Sequence, residues 1–126
     1  MYKRQIDACV AEAPRLAAAH DPDRALELWL QRYTEFVATK RGLAASLHSG
    51  DPAFSGLKTY FEESAGPALQ QLLDAAVAAG AVRDDGLEPL DLLGAVSNLC
   101  IAAPPDDPER AHRMVGLLVD GLRYRA

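Results

Sequence analysis

The apolar residues of this chain recur three and four positions apart, which is the spacing of amphipathic helices. The clearest stripe lies between residues 22 and 41, and its members are Leu26, Trp29, Leu30, Tyr33, Phe36 and Val37. No run of alternating apolar and polar residues is bounded by turn residues, and alanine and leucine predominate where β-branched and aromatic residues would mark strands. The pattern therefore predicts an all-helical protein.

Four pairs of an acidic residue followed by proline predict where helices begin. A carboxylate caps free backbone N–H groups, and the fixed φ of proline suits the first helical position. The pairs are Asp21-Pro22, Asp51-Pro52, Glu88-Pro89 and Asp107-Pro108. Helices are expected to end near Gly42 and Gly80, because glycine is the residue most often found just beyond a helix.

These signals predict a bundle of about six helices. The expected elements are Tyr2–Ala19, Pro22–Arg41, a short turn at Leu43–Leu47, Phe54–Ala79, Glu88–Ala103 and a last helix from Pro108. Two features stay open at this point. Pro14 could kink or divide the first helix, and Gly66-Pro67 could divide the long stretch into two helices.

Length and charge limit the classes of protein that the chain can belong to. Its 126 residues, 49% of them apolar, predict a single domain. A net charge of -5 argues against nonspecific binding to nucleic acid, which requires a basic face. No apolar stretch approaches the roughly 20 residues of a membrane span, and a signal-peptide core is lacking. We expect a soluble cytoplasmic domain with no membrane partner.

The chain carries little that predicts catalysis. Cys9 and Cys100 stand alone in apolar helical contexts, which is typical of buried free thiols. His20, His48 and His112 lie far apart, and no spacing places two metal ligands on one helical face. There is no phosphate-binding glycine loop and no nucleophile elbow. We predict no catalytic residues, no metal site, no cofactor and no enzymatic activity.

The last two predicted helices carry more apolar surface than one small core can absorb. Such a surface favours association, and a homodimer with a twofold four-helix interface is the simplest arrangement. The predicted interface residues are Gly94, Met114, Leu117, Leu118 and Gly121. An alternative is a helical adaptor that binds a different protein through the same helices and has no small-molecule ligand.

Several short runs occur in an order that resembles a known family. They are residues 29–33, 39–43, 72–76, 79–85 and 91–94. In that order, over nearly the whole chain, they resemble the C-terminal regulatory domain of TetR-type bacterial transcription regulators. The resemblance implies a sensor of a small hydrophobic effector that dimerises through its last two helices.

Regulators of this type begin with a basic helix-turn-helix domain, and nothing in the sequence corresponds to it. We therefore expect residues 1–126 to form a single regulatory domain, whose effect on DNA requires an N-terminal domain absent from this chain. Whether the chain is a fragment or a natural stand-alone domain stays open.

The effector pocket is predicted to lie beneath the aromatic stripe of the second helix. The polar tips of Trp29 and Tyr33 need partners if these side chains are buried, and a lined cavity would supply them. Asn98 is an amide within an apolar stretch, where leaving it unpaired would cost on the order of 1–3 kcal/mol. The predicted ligand-binding residues are Trp29, Tyr33, Phe36, Tyr60 and Asn98.

Overall fold

A computed structural model of the chain describes residues 2–39, 55–83, 86–102 and 107–123. These residues form α1 (Tyr2–Ala19), α2 (Pro22–Thr39), α3 (Ser55–Ala78), α4 (Pro89–Ala102) and α5 (Pro108–Arg123). The described residues contain no strand, and the all-helical prediction is confirmed. The prediction of about six helices included the short turn at 43–47, which lies outside the described residues.

Three of the four predicted helix starts are found where an acidic residue precedes proline. α2, α4 and α5 begin at Pro22, Pro89 and Pro108. In each case the carbonyl of the preceding acidic residue accepts an early helical hydrogen bond, at 2.8 to 3.2 Å. The Asp107 carboxylate also accepts the backbone N–H of Arg110 at 3.2 Å, which is the expected capping contact. The pair Asp51-Pro52 lies outside the described residues.

The two prolines within helices do not interrupt them. α1 runs through Pro14 and α3 runs through Pro67 as single helices. α3 ends as predicted at Gly80, whose φ of 70° is the left-handed conformation that favours glycine. The Gly80 N–H donates to the Val77 carbonyl and the Ala81 N–H donates to the Ala76 carbonyl, each at 2.9 Å. This pair of bonds is a Schellman motif, which satisfies two carbonyls at the helix end.

α2 is the central helix of the bundle and packs against α1, α3, α4 and α5. Leu26, Trp29 and Leu30 of its apolar stripe are completely buried. Cys9 on α1 and Cys100 on α4 are buried free thiols, as predicted. The core therefore lies around α2, and any internal site must be built on this helix.

Polar contacts fix the two ends of α5 to α2. Near its start, the backbone carbonyl of His112 accepts the side-chain amide of Gln31 at 3.1 Å. At its end, Arg123 reaches the carboxylates of Asp23 and Glu27 at 3.1 and 3.4 Å. Burial tends to raise the pKa of Glu27, but hydrogen bonds from Arg123 and Arg24 outweigh it, so the pKa lies below its ordinary value.

Replacing Arg123 with alanine is expected to destabilise the fold in a pH-dependent way. Because the ion pairs are partly exposed, we expect the unfolding free energy at neutral pH to fall by about 1 kcal/mol. A carboxylate with a lowered pKa contributes stability above its unfolded-state value, 4.5, and loses that contribution as pH falls through its folded-state value. The difference from wild type should therefore shrink below pH 4.5, as measured by urea unfolding.

Arg113→Ala is the matched control, since Arg113 is an exposed arginine of the same helix. Among the described residues, its ion-pair partner is the exposed Asp107. Arg113→Ala should change stability much less than Arg123→Ala. If the loss of unfolding free energy in Arg123→Ala is the same in strong acid as at neutral pH, an electrostatic role for Arg123 is contradicted.

Candidate functional site

Four aromatic rings stack in the interior around Tyr33. α2 places Trp29, Tyr33 and Phe36 on one side because they are four and three residues apart, and α3 adds Phe61. The Tyr33 ring centroid lies 5.9 Å from Trp29, 6.1 Å from Phe36 and 5.5 Å from Phe61. The corresponding interplanar angles are 5°, 19° and 13°. Near-parallel rings at these distances are offset stacks, and they give the interior a flat aromatic wall.

The polar tips of two of these rings hold α2 to neighbouring helices. The Trp29 indole N–H donates to the Cys9 backbone carbonyl on α1 at 3.0 Å. The Tyr33 hydroxyl and the Ser97 hydroxyl on α4 form a buried hydrogen bond of 2.6 Å. The sequence predicts that both tips require partners, and this expectation is met within the protein itself.

A small cavity lies against this wall, at the junction of α1, α2 and α3. The space open to the centre of a water-sized sphere is about 10 Å³, which is close to the room that one water molecule requires. The side chains therefore nearly fill the site. Its lining consists of Ile6, Cys9, Val10, Trp29, Tyr33, Phe36, Phe61 and Ala65.

α1 closes one side of the cavity with the segment that precedes Pro14. Proline has no N–H, so the Val10 carbonyl does not receive its ordinary helical hydrogen bond from residue 14. Among the described contacts, two side-chain hydrogen bonds attach this segment to the bundle. They are the bond from Trp29 to the Cys9 carbonyl and a bond from the Tyr60 hydroxyl on α3 to the Asp7 carboxylate.

A second apolar feature lies on the outside of α4 and α5. Among the described residues, the exposed large hydrophobic side chains are Leu90, Met114 and Leu117, with exposed fractions of 46%, 38% and 63%. Met114 and Leu117 are three residues apart on α5, and Gly121 continues the same exposed stripe. The stripe is therefore an unpaired apolar face in the single chain.

Residues 21–124 match the family described as "Transcriptional regulator SbtR-like, C-terminal domain". The chain belongs to the TetR family of transcriptional regulators. Its structure is similar to the crystal structure of the TetR transcriptional regulator SCO0520 from Streptomyces coelicolor, with a TM-score of 0.76 and 30% sequence identity. The similarity covers 98% of this chain and 71% of that chain. A comparison with curated protein sequences found no match.

The TetR family is one of transcription factors, which agrees with the resemblance found in the sequence and with the expectation that the domain is a regulator rather than an enzyme. Among the described residues, no group of three or more metal-ligating side chains lies together. No helix within the described part is both long and apolar enough to cross a bilayer.

The structure of this TetR domain brings together three of the five predicted ligand-binding residues. Trp29, Tyr33 and Phe36 line the cavity, while Tyr60 and Asn98 do not. Tyr60 lies outside the cavity, where its hydrogen bond to the Asp7 carboxylate raises the pKa of its hydroxyl. Asn98 is on the exposed face of α4, so its amide needs no internal partner.

The lining residues that the sequence does not predict are Ile6, Cys9, Val10, Phe61 and Ala65. Phe61 lines the cavity where Tyr60 is expected, and Ser97, which is not a lining residue, makes a buried hydrogen bond where Asn98 is expected to. Both are immediate neighbours of the predicted residues. Ser97 could have been found by the same reasoning that selected Asn98, since it is a polar residue within the same apolar run.

The predicted interface residues of the TetR domain differ in exposure. Met114, Leu117 and Gly121 are exposed, and a side chain added at Gly94 or Gly121 would meet no neighbour within 4 Å. Leu118 instead packs against the core and is only half-exposed. The exposed face of α5 therefore consists of Met114, Leu117 and Gly121, and Leu118 lies at its edge.

Two wider depressions, of about 250 and 450 Å³, lie along α3. Both are rimmed by charged or amide side chains such as Asp74 and Glu62. A drug-sized ligand site is enclosed and mostly apolar. The aromatic cavity has that chemistry, and it is the candidate site.

Proposed function

We propose that this domain of a TetR-family regulator binds a small hydrophobic effector in the aromatic cavity and forms a homodimer through α4 and α5. The observation that carries the proposal is the cavity itself, because apolar and aromatic side chains from three helices line it. In this proposal the chain supplies the regulatory unit. Operator DNA is bound by an N-terminal helix-turn-helix domain of the kind that the TetR resemblance implies.

Effector binding in this proposal requires a movement of α1. The cavity is nearly filled, so a ligand larger than water enters only if one wall retreats. In this proposal the wall that moves is α1, because Ile6, Cys9 and Val10 all precede Pro14. Proline within a helix creates a bend at which the preceding segment can reorient. The effector thus stabilises a displaced position of α1. The difference between its affinities for the displaced and the original position determines how far effector binding shifts the equilibrium between them.

The dimer is supported by the exposed side chains of α4 and α5. Leu90, Met114 and Leu117 are the large hydrophobic side chains that the described single chain leaves exposed, and all three lie on these two helices. A stable obligate dimer buries on the order of 2,000 Å² or more. A twofold arrangement of the two helices with their symmetry mates would cover this face and place Gly94 and Gly121 where backbones can approach closely.

The sensing function is tested through Trp29, which is the single tryptophan of the chain and is completely buried. Bromine quenches tryptophan fluorescence at short range, so a bromine-labelled compound in the cavity should quench Trp29. The probes are para-bromophenol, para-bromobenzoate, bromobenzene and bromohexanol. We expect saturable quenching by at least one of them. Acrylamide, which stays in solvent, is the control and should quench little.

The absence of saturable quenching by all four probes would overturn the sensing function. Saturable quenching accompanied by equal quenching from acrylamide would count against it as well, because the tryptophan would then be exposed by unfolding. Thermal unfolding measured with each probe supplies an independent reading, since a ligand of the native state raises the midpoint as its concentration rises.

A further inference from the structure

We propose that the effector of this cavity is an uncharged, flat aromatic molecule with a hydroxyl or carbonyl group that hydrogen-bonds to Tyr33 and Ser97. This inference rests on the proposed sensing function and specifies the chemical class of its ligand. It combines three observations on the cavity: the orientation of its rings, the absence of charge from its lining, and the position of its polar atoms.

The orientation of the rings favours a flat ligand. Tyr33 is stacked within 5° of the plane of Trp29 and within 13° of the plane of Phe61. Trp29 and Tyr33 belong to α2 and Phe61 belongs to α3, so a ligand that takes the space vacated by α1 meets near-parallel aromatic rings from two helices. A flat aromatic ligand can stack on these rings. A flexible aliphatic ligand would make no such stacking contacts and would also lose its own conformational freedom.

The lining favours an uncharged ligand. None of the eight lining residues within the described part of the chain is acidic or basic. The thiol of Cys9 is an internal measure of this environment, because burial raises its pKa to about 11. Burial also raises the pKa of the Tyr33 hydroxyl, although its hydrogen bond to Ser97 acts in the opposite direction. The same desolvation would disfavour the binding of a ligand that carries a charged carboxylate or ammonium group.

Two charged residues influence the site from outside the lining. The charge of Arg32 lowers the pKa of Cys9 and that of Glu12 raises it, so their effects oppose each other. Both effects are smaller than that of burial. Neighbouring charges therefore do not offset the cost of burying a charge at Cys9.

The polar atoms of the site favour a ligand with one hydrogen-bonding group. Trp29 has a single donor, and the Cys9 carbonyl already accepts it. The hydroxyls of Tyr33 and Ser97 bond to each other at 2.6 Å, and each can both donate and accept. A ligand hydroxyl or carbonyl inserted between them exchanges one hydrogen bond for another, and so leaves no buried polar group unpaired.

The bromine-labelled probes separate these requirements at neutral pH. Para-bromophenol is flat, neutral and hydroxylated, and it should bind most tightly, as measured by quenching of Trp29. Para-bromobenzoate is flat but charged, and we expect binding to be weaker by about 100-fold or more. Bromohexanol has the hydroxyl but no ring, and bromobenzene has the ring but no hydroxyl. We expect each to bind about fivefold more weakly than para-bromophenol.

Tyr33→Phe tests the polar contact, because it removes the hydroxyl and keeps the ring. The advantage of para-bromophenol over bromobenzene should disappear in this variant, while bromobenzene itself should bind as in wild type. Thr34→Val is the matched control. It removes another buried hydroxyl of α2, one that bonds only to the Leu30 carbonyl among the contacts of the described residues and does not line the cavity. Thr34→Val should leave the ranking of the four probes unchanged.

The outcomes distinguish this inference from the sensing function. If bromohexanol or para-bromobenzoate binds more tightly than para-bromophenol, the ligand class is wrong and the sensing function stands. If Tyr33→Phe weakens para-bromophenol and bromobenzene equally, Tyr33 has a structural role and the proposed hydrogen bond is wrong. If none of the four probes produces saturable quenching, both proposals are wrong.

Discussion

Leu117→Asp is expected to convert the protein from a dimer into a folded monomer. Leu117 is 63% exposed in the single chain, so the substitution removes little from the monomer core. In a twofold interface the change occurs twice, and each new carboxylate would be buried against an apolar face without a partner. Breaking a buried contact with an unpaired charge costs several kcal/mol. We expect the dissociation constant to rise by about 1,000-fold or more, as measured by sedimentation velocity over a range of concentrations.

Gln71→Asp is the matched control, because Gln71 is an exposed residue of α3, away from the apolar face of α4 and α5. It adds the same charge and should leave the dimer intact. Leu118→Asp is a less specific test, since Leu118 packs partly against the core and its loss affects folding as well. Circular dichroism should show native helicity for Leu117→Asp. A wild-type protein that sediments as a monomer at every concentration would contradict the dimer and favour the adaptor alternative.

Trp29→Ala is expected to lower the unfolding free energy by about 4 kcal/mol, which is typical of removing a large aromatic side chain from a core. Trp29 is completely buried and stacks on Tyr33. The substitution also removes the hydrogen bond to the Cys9 carbonyl, which is one of the links between α1 and α2. Urea unfolding followed by circular dichroism measures the loss without requiring tryptophan fluorescence.

Trp29→Phe separates the two contributions, because it keeps an aromatic ring and removes the indole N–H. We expect its loss of stability to be about 1–2 kcal/mol. Gln71→Ala is the control for truncation at a surface position away from α4 and α5, and it should change stability by less than about 0.5 kcal/mol. A loss below about 1 kcal/mol in Trp29→Ala would contradict the central position of this residue in the core.

The sequence predicts the helices well because their ends carry strong local signals. The prolines that begin α2, α4 and α5 act through a fixed φ, and Gly80 ends α3 through a positive φ. These effects depend on a few neighbouring residues, so they are visible in one sequence. The aromatic stripe of α2 is predicted for the same reason, because polar residues occupy the other sides of the helix and leave one apolar face to be buried.

The angular orientation of the other helices is harder to predict. α4 is apolar nearly all round, so periodicity does not show which of its faces points inward. One residue corresponds to about 100° of rotation, and that rotation separates the buried Ser97 from the exposed Asn98. Likewise Tyr60 and Phe61 are adjacent aromatic residues, and only the packing of α3 against α1 and α2 decides which ring enters the cavity. Tertiary contacts, absent from a single sequence, determine both choices.

The hydrogen bond between Tyr33 and Ser97 has a consequence for how such a domain could diverge during evolution. Ser97 belongs to α4, which is one of the two helices proposed to form the dimer. A substitution of Ser97 that suits a new ligand would therefore also change the packing of a helix at the proposed dimer interface. Phe61 and Ala65 line the same cavity from α3. In the proposed sensor and dimer, exchanges at those two positions would change ligand selectivity and leave subunit assembly intact, so α3 would be the easiest wall to diversify.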